Sequence, residues 1–303
     1  MVVERVRRPR LDAVAMAPGK RTRLYRLLYE HGPGDGTMLA LPVDQGLEHG
    51  PGDFLPNPPS ESPHFQIRLA IDGGYSAVAF HYGIAARYMP AYAGRIPLIV
   101  KINGKTDIPP SDRPFSGLTA TVEDALRLGA DAVGYTLYVG SPRQDEDFAQ
   151  LGSVRADCDR FGMPLFVWAY PRGEAVEQKG GRDSLFAVDY AARVAAELGA
   201  DVIKLNVPAI DQRTRERSPK AYAQLQLDER AAVEKIVRTA GDCFVLFSGG
   251  SRIGDADLLD RARLVMEAGA TGLIFGRNMW QRPMAEALRM TEEIKRVMRA
   301  ASA

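Results

Sequence analysis

A lysine stands in the middle of an apolar, β-branched run: Lys204 in ADVIKLNVP, residues 200–208. Taking an ammonium out of water is costly, so a lysine buried in such a run tends to lose its proton. A neutral amine attacks a ketone and forms a Schiff base. The bland alternative is a strand-end lysine that pairs with an acid or reaches solvent. Lys101, in VKINGK at 100–105, lies in a similar run and is the rival nucleophile. Its other reading is a neighbouring charge that lowers the nucleophile's pKa.

These lysines need elements to hold them. Short β-branched runs alternate with helical patterns along the whole chain. The runs read as strands are Thr37–Val43, Ser76–His81, Pro97–Ile102, Ala132–Tyr138, Pro164–Tyr170, Asp201–Leu205, Cys243–Phe247 and Thr271–Phe275. They are continuous apolar runs, as in parallel strands covered on both faces. Amphipathic segments such as Val122–Leu128, Ser184–Leu198, Asp228–Thr239 and Asp255–Glu267 lie between them. Three Gly-Ala steps, at Gly129, Gly199 and Gly269, each close a helix and feed a strand. A strand–helix unit repeated about eight times predicts an α/β fold of the (β/α)8 TIM-barrel type. An open doubly wound sheet would need G-x-G-x-x-G after the first strand, and DQGLEHG at 44–50 does not supply it. Residues 1–36 are expected to be an N-terminal extension of the same domain, with a helix around Thr22–Tyr29, and 37–303 the barrel. Two long loops follow the first and sixth strands, Gly50–Pro63 and Val207–Leu227. In a barrel such loops shape the active site, although a disordered surface insertion is the competing reading for the second.

Barrel catalysis sits at the C-terminal strand ends. Read in order, those ends hold Asp44, then Trp168 and Tyr170, then Lys204, then Ser248-Gly249-Gly250, then Gly276-Arg277. Trp168 and Tyr170 share a face, because strand side chains alternate. The glycines after strands seven and eight let bare backbone N–H groups approach a phosphate, with a helix N-terminus just beyond. Arg277 can add a charge-assisted bond, or its N–H alone. A phosphorylated ketone beside a nucleophilic lysine suggests retro-aldol chemistry: carbinolamine, loss of water, an iminium ion, and cleavage of the adjacent carbon–carbon bond. That needs a donor for the departing water and a base for the substrate hydroxyl. Tyr170 can serve as the first and, with its phenol oxygen, as the second. Asp44 can hold a hydroxyl or stabilise the cationic nitrogen, and Trp168 can wall off water. Taken singly, a core tyrosine and tryptophan and a helix-capping aspartate explain these residues as well. Glu48 and His49 resemble half a metal site, but no spacing among the histidines supplies a third ligand.

Composition narrows the partners. The chain has 303 residues, 46% of them hydrophobic, and a formal charge of +1, which leaves no basic excess for nucleic acid or an acidic membrane. Met1–Arg10 is basic, but no apolar run of signal-peptide length follows, and no stretch approaches membrane-spanning length. The arginines between Arg5 and Arg26 could meet an acidic partner; a solvated helix face or a subunit contact is the simpler reading. Two cysteines in no metal-like spacing fit a reducing cytoplasm.

Together, LPVDQGLEHGP at 41–51, WAYPRG at 168–173, Lys204, FSGG at 247–250 and GRN at 276–278 resemble the archaeal-type class I fructose-bisphosphate aldolases, which also occur in bacteria. The resemblance runs from about Thr37 to the last helix. It implies a lyase of glycolysis or gluconeogenesis that cleaves fructose 1,6-bisphosphate to dihydroxyacetone phosphate and glyceraldehyde 3-phosphate. It casts Lys204 as the Schiff-base lysine, Tyr170 as the general acid/base with Trp168 beside it, and Asp44 as the strand-one aspartate. Ser248, Gly249, Gly250, Gly276 and Arg277 become the phosphate turns. It further implies no metal or other cofactor, a phosphorylated sugar as partner, and a homo-oligomer, often a decamer. The chain departs from the pattern after the lysine, where a longer, charged loop opens and bears on the far end of the substrate. Relatives in the same superfamily act as transferases or thiolases on other phosphorylated ketones, and a phosphate-binding barrel without catalysis is the non-enzymatic alternative.

Overall fold

The computed structural model describes residues 6–110 and 112–302. Residues 1–5 of the basic opening stretch, Arg5 among them, lie outside these. Eight parallel strands close into a barrel: β1 Met38–Pro42, β2 Ala77–His81, β3 Leu98–Lys101, β4 Ala132–Val139, β5 Leu165–Pro171, β6 Val202–Asn206, β7 Phe244–Ser248 and β8 Gly272–Ile274. Each strand pairs with its neighbours in chain order, and β8 pairs with β1. All eight predicted strands are present, shifted by one residue or so at several ends. Cys243, for instance, stays outside β7: the Phe244 N–H makes the first bond there, to the Asp201 carbonyl, while the Cys243 Sγ donates to the Ala200 carbonyl. The three Gly-Ala steps act as expected. Gly129, Gly199 and Gly269 have φ of +69°, +92° and +93°, the left-handed conformation that closes a helix.

Two apolar layers follow from the strand alternation. Outward residues such as Leu39, Val78, Val100, Val133, Val167, Ile203, Val245 and Leu273 are fully buried against the surrounding helices. Inward residues such as Met38, Ala77, Ile99, Phe166, Val202 and Phe244 fill the lower barrel. The extension forms a helix at Pro18–Tyr25 that runs into a π-helical turn at Arg26–Glu30, somewhat earlier than expected. Its Leu24, Leu27 and Leu28, with Leu11, join the inward cluster and plug the end where the strands begin. Lys20 anchors it further, 2.8 Å from Asp159 and 2.9 Å from Asp201. Three arginines of this region are used within the chain: Arg21 donates to the carbonyls of Leu11 and Val14, Arg23 to that of Gly162, and Arg26 pairs with Asp131.

Both long loops are built rather than loose. Residues 50–63 hold two 3-10 turns, and Asn57 donates to the carbonyls of Trp280 (2.9 Å) and Arg282 (2.6 Å). Residues 207–227 hold two short helices, Gln212–Arg217 and Lys220–Ala223, and the Asp211 side chain caps the first by accepting from Thr214 N–H. The segment after β6 is therefore not an insertion without structure. Among the described residues, no helix is long and apolar enough to cross a membrane.

Candidate active site

The inward side chains change character near the C-terminal strand ends. Where the lower barrel is hydrocarbon, the upper barrel carries His81 on β2, Lys101 on β3, Thr136 and Tyr138 on β4, Trp168 and Tyr170 on β5, Lys204 and Asn206 on β6, and Ser248 on β7. The register sets neighbours side by side: Tyr138 by Tyr170, Trp168 by Lys204, Asn206 by Ser248. Above them opens a cavity of about 1130 Å³, lined among others by Asp44, Glu48, Tyr170, Lys204, Ser248 and Gly276.

Lys204 is 5% exposed. Its Nζ lies 2.6 Å from the Tyr170 Oη and 3.3 Å from the Asn206 Oδ1. Asn206 Oδ1 also accepts from Ser248 Oγ at 2.8 Å, and its Nδ2 donates to Asp183. No carboxylate hydrogen-bonds the amine among the described residues. Burial pushes the Lys204 pKa down to about 7; Arg172 and Lys101 repel the ammonium, and Asp44 and Glu48 offset only part of the fall. A large neutral fraction is thus present near pH 7, which is the form that attacks a carbonyl. Burial, with Glu48 and Asp44 adding repulsion, holds the Tyr170 phenol well above its ordinary value. Tyr170 is therefore protonated and able to donate.

Lys101 is the opposite case. It is fully buried, yet its Nζ donates to Glu48 Oε1 (2.6 Å), Thr136 Oγ1 (2.8 Å) and Asp44 Oδ2 (3.1 Å). Burial works against its charge, but the two carboxylates win and raise its pKa. The ammonium form of Lys101 is thereby favoured, and its charge acts to lower the pKa of Lys204. Trp168, 1% exposed, stands between the two lysines: its backbone pairs with Lys204, and its ring centroid is 4.9 Å from the Lys101 Nζ. This crowding requires Gly134, where a Cβ would sit 2.7 Å from the Trp168 ring and 2.8 Å from Lys101 Cδ.

Asp44 and Glu48 part company around that ammonium. Burial alone would raise the Asp44 pKa, but Lys101, by its charge and its hydrogen bond, leads the groups that hold Asp44 below the usual carboxylate range. Burial and Asp44 itself raise Glu48, and Lys101 cancels only part of this. His81 is pushed down to about 4, mainly by burial and next by Lys101, so its imidazole is neutral.

The glycine turns face this group. Gly250 has φ +69°, and a Cβ on Gly249 would lie 2.7 Å from Asn278 Nδ2. Asn278 pins the two turns together, accepting from Ile253 N–H and donating to the Ser251 carbonyl. A Cβ on Gly276 would meet the Pro42 carbonyl at 2.9 Å, and the helix Arg277–Trp280 starts immediately after. Arg277 lines the cavity, but its guanidinium is drawn toward Asp53, at 3.8 Å, too far for a hydrogen bond. The arrangement offers its backbone N–H first and its charge second.

Every site residue expected from sequence thus borders one cavity. Sequence reasoning gave no role to Thr136, Tyr138, Asn206 or Arg172. Asn206 was legible as the residue two positions after Lys204, on the same strand face. Glu48 does not form half a metal site with His49. It bonds Lys101, while His49 lies 3.4 Å from Asp53, and among the described residues no group of three His, Cys, Asp or Glu is placed to hold a metal.

Fold and site define the class: a (β/α)8 barrel whose cavity at the C-terminal strand ends holds a buried lysine against a tyrosine. The chain belongs to the DeoC/LacD family of aldolases, which it matches over residues 38–282. A class 1 fructose-bisphosphate aldolase of Thermoproteus tenax is 40% identical over 248 residues, covering 82% of this chain and 84% of the relative. One from Halobacterium salinarum is 36% identical over 82% of this chain and 86% of the relative. Among solved structures, an archaeal fructose-1,6-bisphosphate aldolase, with its catalytic lysine covalently bound to the carbinolamine intermediate of its substrate, matches with a TM-score of 0.77 at 36% identity, over 91% of this chain and 99% of that one. A fructose-bisphosphate aldolase from Slackia heliotrinireducens matches with a TM-score of 0.82 at 27% identity, over 97% and 92%.

Proposed function

We propose that the protein is a class I aldolase that reversibly cleaves fructose 1,6-bisphosphate to dihydroxyacetone phosphate and glyceraldehyde 3-phosphate through a Schiff base on Lys204. The observation that carries this reading is the pair at the barrel mouth: a buried amine with its pKa near 7, held 2.6 Å from a protonated phenol. The relatives' activity supports the choice of substrate.

The geometry suggests a sequence of steps. One phosphate is held by the Ser248 hydroxyl and the N–H groups of Gly249, Gly250, Gly276 and Arg277, which places the ketone over Lys204. The neutral amine adds to the carbonyl carbon. Tyr170 gives its proton to the carbinolamine hydroxyl, water leaves, and an iminium ion forms. Asp44, ionised beside Lys101, holds a substrate hydroxyl and balances the cationic nitrogen. Trp168 closes the floor of the site to water. The Tyr170 phenolate left by the loss of water takes the proton of the substrate hydroxyl, the iminium accepts the electron pair of the breaking carbon–carbon bond, and the aldehyde leaves; the enamine carbon then takes up a proton, and hydrolysis of the restored iminium releases the ketone. The same reading places the protein in the cytoplasm as a homo-oligomer, which sedimentation of the purified enzyme checks.

The decisive experiment is borohydride trapping with dihydroxyacetone phosphate followed by peptide mass mapping. A reduced adduct on Lys204 is expected. Folded protein that yields no lysine adduct would remove the mechanism and leave a phosphate-binding barrel.

A further inference from the structure

We propose that Asn206 is a positioning residue of this reaction: its amide oxygen, turned into the site by Asp183, holds an N–H of Lys204 so that the amine's lone pair faces the ketone, and later holds the single N–H of the iminium ion. The inference rests on the Schiff-base reading above and deepens it.

The barrel places the amide. Asn206 follows Lys204 by two residues on β6 and so points the same way, and its register partner on β7 is Ser248. Its Oδ1 lies 3.3 Å from the Lys204 Nζ and accepts from Ser248 Oγ at 2.8 Å. Its Nδ2 donates to Asp183 Oδ1 at 3.2 Å. An ionised carboxylate can only accept, so Asp183 decides which end of the amide faces the amine. The flipped amide would set its oxygen against that carboxylate.

The chain's own loops hold Asp183 in place. Ala209 N–H donates to the Asp183 carbonyl at 2.7 Å, and Ser184 and Ala209 form a parallel bridge. Arg217 donates to the Glu177 carbonyl. Gly180, at φ +101°, lets the two segments touch: a Cβ there would lie 2.7 Å from Ser218 Oγ and 2.8 Å from the Thr214 carbonyl oxygen. The charged segment after β6 is thereby joined to the segment after β5, and it acts on the amine through Asp183 and Asn206.

Neutrality is what suits asparagine to this position. Among the described residues the amine's hydrogen-bond partners are the Tyr170 phenol and this amide. The charged and titratable groups around it are Tyr170 and Arg172 at the end of β5, Lys101 on β3, and Asp44 and Glu48 in the turn after β1, with Asp183 behind the amide. Aspartate has the shape of asparagine, but its carboxylate would touch the amine and favour the ammonium, which cannot attack. The amide accepts a hydrogen bond and adds no charge.

The geometry matters at two steps. During attack, an N–H anchored on Oδ1 leaves the lone pair free toward the carbonyl carbon. After water has left, the iminium nitrogen carries one N–H, and its bond to Oδ1 sets the plane of the C=N group. The carbon–carbon bond breaks when it stands perpendicular to that plane, in line with the π orbital that takes its electrons. No proton passes through Asn206.

Two variants, Asn206→Asp and Asn206→Leu, test this. The readouts are the rate of borohydride-trappable imine formation with dihydroxyacetone phosphate across pH, and kcat and KM for cleavage of fructose 1,6-bisphosphate. Asn206→Asp should move the acid limb of imine formation up by about one pH unit or more. Asn206→Leu should lower the trapping rate and kcat by about tenfold or more, with KM nearly unchanged. A limb that stays in place in folded Asn206→Asp overturns the proposal, because the amide oxygen then does not face the amine. So does Asn206→Leu with kcat within about twofold of the parent, or with a loss confined to KM, since Asn206 would then serve the phosphate through Ser248 alone. If neither variant folds, Asp183→Ala decides, because that side chain is half-exposed and lies outside the barrel. A fall in trapping rate then supports the assignment, and a rate equal to the parent's overturns it. Parent protein that traps nothing would instead remove the Schiff-base reading on which the assignment stands.

Discussion

Two lysines project into the same barrel from β3 and β6, both nearly or fully buried, and their pKa values are pushed in opposite directions. Lys101 has three oxygen partners, two of them carboxylates. Lys204 has a phenol and an amide oxygen, and cationic neighbours in Arg172 and Lys101. Burial opposes the charge on both. At Lys101 the Coulombic attraction of Glu48 and Asp44 overcomes that cost, whereas at Lys204 it does not. Burial of a lysine therefore says little about its nucleophilicity until its anionic neighbours are counted. The two also depend on each other, since the ammonium kept on one side helps to discharge the amine on the other.

The contrast can be broken most severely at the nucleophile. Lys204→Ala should cost about 10⁴-fold or more in kcat, with the fold retained by circular dichroism, because no other group supplies the imine nitrogen. Substantial residual turnover would return Lys101 to candidacy. Tyr170→Phe should lower kcat by about 10²-fold while substrate still binds, as measured by KM and by calorimetry with a slowly turned-over ligand. An unchanged rate would exclude the phenol from proton transfer.

Lys101→Met sharpens the comparison through stability. It leaves Asp44 and Glu48 facing each other in a buried site without their cation, a loss of about 3–5 kcal/mol expected in denaturant unfolding. A second consequence concerns pH. The attacking amine must be neutral, so imine formation should fall about tenfold per pH unit below the Lys204 pKa of about 7. Removing the Lys101 charge and exposing two carboxylates to Lys204 should move that acid limb to higher pH. A limb that stays in place in Lys101→Met would show that the two lysines are not coupled. A parent profile flat from pH 8 to pH 5 would show that Lys204 is not the titrating nucleophile.

Much of this was readable in one dimension. Eight apolar runs, three Gly-Ala caps and Gly-Gly and Gly-Arg turns after the last two strands carry the barrel, because backbone geometry and hydrophobic periodicity are local properties. Strand alternation likewise places Trp168 with Tyr170, and Lys204 with Asn206, on one face. The ion pair of Glu48 with Lys101 was not readable. Glu48 lies 53 positions from Lys101 along the chain, so the ion pair the fold makes between them has no local signature. The use of Arg277 was equally hidden, since its guanidinium answers to Asp53 in a loop far away in sequence.

Sequence alone determined the fold class, the inward face of each strand and the set of polar residues at the strand ends. Short-range sterics, side-chain alternation and apolar burial suffice for these. Only the tertiary structure decided which lysine has its pKa lowered and which raised, and which carboxyl is held below its ordinary range. Those properties depend on Coulombic distances and desolvation between residues brought together from different strands, and neither quantity exists until the barrel has closed.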